Sequence, residues 1–332
     1  MADQENLMMR QDDLPHLVSM HFCSFVFIAD ILYSLHIYTN KGMFIGLDPW
    51  LNLTSPIKFP DVTYWTNSTS PIQLPGVTYW IWFVIYAWLF GILVFYSAGM
   101  CRKGDNAPSY RSPLLLPPVF YIALSLAHAL NLIWLIVVVG CMLPYAGPLI
   151  LGFLALMLYL CIAISMVRVR RVSQSFTNHP MELWSVVLII QNGLALYAGW
   201  VTLLATIQAG DLMEIELGLS RPHVRVIVLY FILAELVAWF LCDMIILGTT
   251  TRYLVMPYFI ACWTTGSIAV QAWRDSKNTD DTTLPFIIMV VCLGLFFWKA
   301  GLLSYQHNKS ESYVKDVIAA RPTLFQRLLS KC

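Results

Sequence analysis

Eight apolar stretches, each long enough to cross a bilayer, take up most of this 332-residue chain, and nearly all Lys and Arg lie in the gaps between them. A hydrocarbon core about 30 Å thick is crossed by about 20 residues of α-helix. The candidate spans fall near residues 17–38, 77–99, 114–138, 143–167, 183–208, 224–247, 253–273 and 284–304. Lipid satisfies no backbone N–H or C=O, so a spanning segment is either a helix or a strand of a closed barrel. These runs are continuous rather than alternating at every second residue, which selects the helix. The expected fold class is an all-α integral membrane protein with about eight transmembrane helices. At 58% hydrophobic and 12% charged residues, the chain lies far from the roughly 25% charged residues of an ordinary soluble domain.

Charge then sets the expected orientation. The first span follows an acidic stretch (Asp3, Glu5, Asp12, Asp13), so it lacks the basic start of a signal peptide and is expected to be retained. With residues 1–16 as a cytoplasmic N-terminus, the inner segments hold Arg10, Arg102, Lys103, Arg111, Arg168, Arg170, Arg171, Arg252, Lys299, Lys309, Lys315, Arg321, Arg327 and Lys331, out of 20 basic residues in all. The positive-inside rule then places both termini in the cytoplasm. The loop 40–76 falls outside, where the sequons at Asn52 and Asn67 would meet the glycosylation machinery, and this points to the plasma membrane or another secretory-pathway membrane. The 8 cysteines sit in spans or at their edges and form no paired extracellular framework.

The loop also holds a tandem duplication: residues 52–66 read NLTSPIKFPDVTYWT and residues 67–81 read NSTSPIQLPGVTYWI. It reads either as a doubled aromatic lid over an outer opening or as a loop that tolerates insertion at small cost. The other loops are short, so neighbouring helices are expected to be antiparallel partners in one bundle. Within the basic cytoplasmic tail, 305–332, the stretch from Glu311 to Cys332 reads as an amphipathic helix on the anionic inner leaflet or as a frayed end.

Polar groups inside the spans are the candidate chemistry, because an ionisable residue at mid-membrane costs at least about 2.5 kcal/mol and needs compensation. Asp30, Glu235 and Asp243 qualify, and Trp239 lies between the last two on one helix face. They read either as a proton or ion relay, or as structural groups, with Asp243 paired to Arg252 or Lys299 and Glu235 bonded to a neighbouring helix. His128, Asn131 and Trp134 share a face of the third span, and Gln191, Asn192, Tyr197, Trp200 and Gln208 lie on the fifth. Such groups line a pocket or join helices. Many Trp and Tyr residues sit at span ends as an interfacial belt, but Trp82, Tyr86, Trp134, Tyr197 and Trp200 fall inside spans, where they suit a pocket for a flat apolar ligand or bulky packing.

Pro75-Gly76 followed by Tyr79, Trp82 and Tyr86, then Asn131-Leu132-Ile133-Trp134, then Tyr197, Trp200 and Ala205 with Gln208 in place of an Asn, resemble in order and position the motifs of the translocator and tryptophan-rich sensory proteins (the TspO/MBR family). The resemblance covers residues 17–209. The chain is also similar to a group of animal multi-pass proteins that extend the five-helix pattern, through Asn192-Gly193, Arg252-Tyr253 and Pro257-Tyr258. Val77 stands where the family has a second-helix Trp, and the spacing from Pro75 to Trp82 is one residue short. The resemblance implies a five-helix bundle in 17–209, followed by three added helices in 210–304. It also implies an aromatic pocket for a porphyrin, sterol or similar ligand at Tyr79, Trp82, Tyr86, His128, Asn131, Trp134, Tyr197, Trp200 and Gln208.

The first functional expectation is a membrane protein that binds or transports a small apolar or amphipathic ligand. The alternatives are a proton- or ion-coupled transporter using Glu235 and Asp243, and a receptor or scaffold without transport. No metal motif, nucleophile elbow or paired catalytic carboxylates occur at useful spacing, so neither an enzyme nor a cofactor or metal site is expected. The expected partners are the lipid bilayer and a hydrophobic small molecule, not nucleic acid.

Overall fold

The structure is a computed structural model and describes residues 2–40, 72, 74–101, 116–140, 144–172, 184–247, 251–275 and 283–309. The sequons at Asn52 and Asn67, the first copy of the duplication and the tail from residue 310 onward lie outside the described residues. Among the described residues, eight long helices follow one another: α1 (Ala2–Asn40), α2 (Ile81–Cys101), α3 (Pro118–Trp134), α4 (Gly147–Val172), α5 (Asn192–Leu217), α6 (Arg221–Leu241), α7 (Met256–Asp275) and α8 (Thr283–Lys309). No strand occurs among the described residues. Wider π-helical turns extend three of the rods, at Leu135–Gly140 after α3, Val186–Gln191 before α5 and Cys242–Leu247 after α6.

Seven of the eight helices are long and apolar enough to cross a membrane, which makes the chain a multi-pass membrane protein. The exception to the expected eight is α7. It carries Thr264, Thr265, Gly266, Ser267 and Gln271 where the others carry aliphatic residues. It still belongs to the bundle, packed against α5 and α8 with Thr264 and Thr265 buried. The hydroxyls of Thr265 and Ser267 bond back to the carbonyls of Ala261 (2.7 Å) and Trp263 (2.8 Å), so the helix satisfies them itself.

Local chemistry fixes the ends and crossings. Pro at the start of α3 and α6 suits a first turn whose N–H groups have no helical partner. After α5, Gly218 takes φ +61° and stops the helix in the left-handed region that glycine enters freely. Arg221 then pairs with Glu214 at 2.7 Å across this three-residue turn, and α5 and α6 become neighbours. Gly193 lets α2 approach α5: a Cβ there would lie 2.3 Å from Cδ1 of Trp88, whose Nε1 donates to the Ile189 carbonyl at 2.7 Å.

Helix α5 is the axis of the molecule. Its spanning window is 78% buried, against 28% for α1 and 17% for α8. One apolar core lies mainly among α1 to α5 and a second among α5 to α8. Large apolar side chains such as Phe25, Leu149 and Phe297 remain exposed on the outer faces, where lipid would cover them. The two halves are also tied by Asn192. Its Nδ2 donates to the carbonyls of Val187 and Tyr253 (both 2.9 Å), while its Oδ1 accepts from the Val255 N–H at 3.0 Å.

Candidate functional site

Nine pocket candidates and Asp30 converge on one region between α1, α2, α3 and α5. Trp82 is its centre. Its ring stacks on Tyr86 (centroids 5.8 Å apart) and Trp134 (6.1 Å), and meets Tyr197 (5.8 Å) and Trp200 (6.1 Å) edge-on. Tyr79, in the 3₁₀ turn Gly76–Trp80 that leads into α2, meets Trp200 edge-on at 6.2 Å. Trp82, Trp134, Tyr197 and Trp200 are buried, Trp200 completely. The Nε1–H groups of Trp82 and Trp200 are covered and find no hydrogen-bond acceptor. An edge-on ring offers an N–H only a weak π contact, so two donors at the centre of the bundle remain available.

A polar network borders these rings. The Asp30 carboxylate, on α1, meets His128 Nδ1 at 3.0 Å through Oδ2 and accepts from Asn131 Nδ2 at 2.7 Å through Oδ1. Asn131 Nδ2 also approaches the Tyr86 hydroxyl at 3.1 Å, and that hydroxyl is 2.6 Å from Ser34 Oγ. Asp30, Ser34, His128 and Asn131 are buried, and Asn131 Oδ1 has no partner. Asp30 therefore lies in the same polar and aromatic cluster as the pocket candidates. At the other edge, Trp134 Nε1 donates to Gln208 Oε1 at 3.3 Å, leaving Gln208 Nε2 without a partner.

Glu235 and Asp243 lie apart from that cluster and are held separately. Asp243, in the π turn after α6, receives Lys299 Nζ at 2.9 Å on Oδ1 and 2.7 Å on Oδ2, together with the Tyr258 hydroxyl at 2.7 Å. Lys299 also donates to the Thr251 carbonyl at 3.1 Å. Both charges are buried, so Lys299, which the sequence places with the inner charges, belongs to the helix packing. Glu235 accepts from the Thr206 hydroxyl through Oε1, and its covered Oε2 has no partner. It lines a partly open cavity of about 50 Å³ among α4, α5, α6, α7 and α8.

Comparison with protein-family models, curated proteins and solved structures gives no match to this chain. No group of three or more His, Cys, Asp or Glu among the described residues could hold a metal ion.

Sequence reading left out Ser34, Thr206, Thr202 and Tyr159. Ser and Thr are common in membrane helices and their roles depend on a neighbour brought from far along the chain. The Tyr159 hydroxyl lies 3.3 Å from Thr202, and its ring stacks on Trp239 at 6.2 Å. The only sequence signal was helical spacing: Thr202 and Thr206 share a face of α5.

Proposed function

We propose that this chain binds or moves a small apolar or amphipathic molecule, porphyrin- or sterol-like, at the aromatic cluster around Trp82. The observation that carries the reading is the pair of covered, unpartnered indole donors of Trp82 and Trp200 within an aromatic nest. Aromatic faces receive a flat apolar body, and a few placed polar groups fix its orientation. A carbonyl or carboxylate of the ligand would accept from the indoles, and a hydroxyl would donate to Asn131 Oδ1. The likeness to the translocator family supports the same set of residues. In this reading both termini are cytoplasmic and the membrane belongs to the secretory pathway. A coupled transporter relaying protons from Glu235 to Asp243 is favoured less, since Lys299 and Tyr258 already engage Asp243.

Tryptophan quenching of the purified full chain by protoporphyrin and by cholesterol analogues tests the proposal. Saturable binding is expected, weakened about tenfold or more in Trp82→Ala and Trp200→Ala variants that remain folded, a loss of about 1.4 kcal/mol. Absence of saturable binding to folded wild-type protein by either probe would overturn it.

A further inference from the structure

The Glu235 cavity is a second site, made largely by the helices that follow the five-helix region. Its lining combines apolar groups from Leu203, Ile232, Leu236 and Ile260 with the Glu235 carboxylate and the stacked rings of Tyr159 and Trp239. We propose that it binds a small organic ammonium, the positively charged end of an otherwise apolar amine.

Three observations carry this. Glu235 Oε2 is covered and has no hydrogen-bond partner, while Oε1 is held by a neutral hydroxyl. A carboxylate inside a membrane protein demands compensation. Of the Lys and Arg side chains buried among the described residues, Lys299 is committed to Asp243 and Arg252 lies over the Tyr253 ring, and no ion pair to Glu235 forms among the described residues. The missing positive charge is therefore one that a ligand can bring.

The surroundings specify which cation. An inorganic ion wants a shell of about six oxygens, whereas this cavity offers one free carboxylate oxygen beside Thr202, whose hydroxyl already donates to the Ala198 carbonyl at 2.8 Å. Electron-rich rings are poor ligands for a small hard ion but attract an organic ammonium. Trp239 Nε1–H, also without a partner, adds a donor for an oxygen carried on the same ligand. The volume of about 50 Å³ admits an ammonium group, with the rest of the molecule lying along the apolar lining or out through the open side.

The test compares 2-phenylethylamine with its neutral analogue 2-phenylethanol by calorimetry on the full chain in nanodiscs of neutral lipid. The amine should bind saturably and at least about tenfold more tightly than the alcohol. That preference should vanish in Glu235→Gln and fall about threefold in Trp239→Phe, which keeps a ring but weakens its attraction for a cation. Equal binding of amine and alcohol to the wild type would overturn the proposal, and this measurement needs no variant to fold. Amine preference retained in folded Glu235→Gln would overturn it as well. The site stands independently of the Trp82 cluster, so Trp82→Ala should leave amine binding unchanged.

Discussion

Asp243 and Glu235 stand about two helical turns apart on one rod, yet the bundle treats them in opposite ways. Asp243 is enclosed by a cation, a phenol and, through its lysine, a backbone carbonyl. Glu235 has one threonine hydroxyl and a cavity. A buried charge with all its partners in the chain holds helices in register, whereas one left half-partnered beside a cavity stores a demand that only something from outside can meet. Asp30 falls between them, with both oxygens engaged but joined through Asn131 and Tyr86 to the ring of Trp82, whose indole donor has no partner.

The sharpest way to break this comparison is to remove the partner of Asp243. Lys299→Met leaves a buried carboxylate facing only the Tyr258 hydroxyl, and should cost about 3–5 kcal/mol of stability. Thermal unfolding in detergent would show it as a large fall in midpoint. The double variant Asp243→Asn with Lys299→Met removes both charges and should recover most of that loss, because the expensive state is the unpaired charge. A double variant no better than the single one would mean that the pair is not what α8 contributes there.

A smaller effect is expected at Asp30. In Asp30→Asn the new side chain presents a donor either to Asn131 Nδ2 or to the His128 Nδ1 side, both of which now meet carboxylate oxygens. Facing Asn131, the amide loses one hydrogen bond; facing His128, it keeps that bond once the imidazole proton moves to Nε2, but both bonds lose the assistance of the carboxylate charge, at about 1–3 kcal/mol in either case. If His128 is bonded as an imidazole donor, its Nδ1 resonance in nitrogen NMR should shift in this variant while that of His223 stays in place. An unchanged midpoint would place Asp30 with Glu235, as a group the fold does not depend on.

These contrasts mark how far the sequence could be read. The helical architecture was legible because lipid imposes length and continuity on each span, and seven of the expected eight satisfy that rule in the structure. Helix α7 escapes it because Thr264 and Thr265 are buried in a helix that packs on α5 and α8, so burial replaces hydropathy as the reason it packs. Spacing along single helices grouped His128 with Asn131 and Trp134, and Tyr197 with Trp200. It had no means of showing that Asp30, about 100 positions earlier, completes the first group, since that contact is set by how α1 packs on α3. Lys299 was visible as a partner for Asp243, but Arg252 was equally eligible, and only the packing of α8 decides between them. The Glu235 cavity needed residues of five helices at once, which no single-helix periodicity contains.

The smallest effect on stability is expected at Glu235 itself, and it gives the comparison its sign. Glu235→Gln keeps an oxygen for the Thr206 hydroxyl and replaces an oxygen that has no partner. It also removes an ionisable carboxyl that no cation among the described residues pairs with. The unfolding midpoint should therefore stay level or rise, within about 1 kcal/mol of the wild type. The contrast with Lys299→Met, measured in the same detergent, isolates what partnering does, since both changes replace one ionisable group in the same half of the bundle. A loss from Glu235→Gln approaching that of Lys299→Met would mean that Glu235 is as structural as Asp243, and the cavity beside it would then be a packing defect rather than a place built for a ligand.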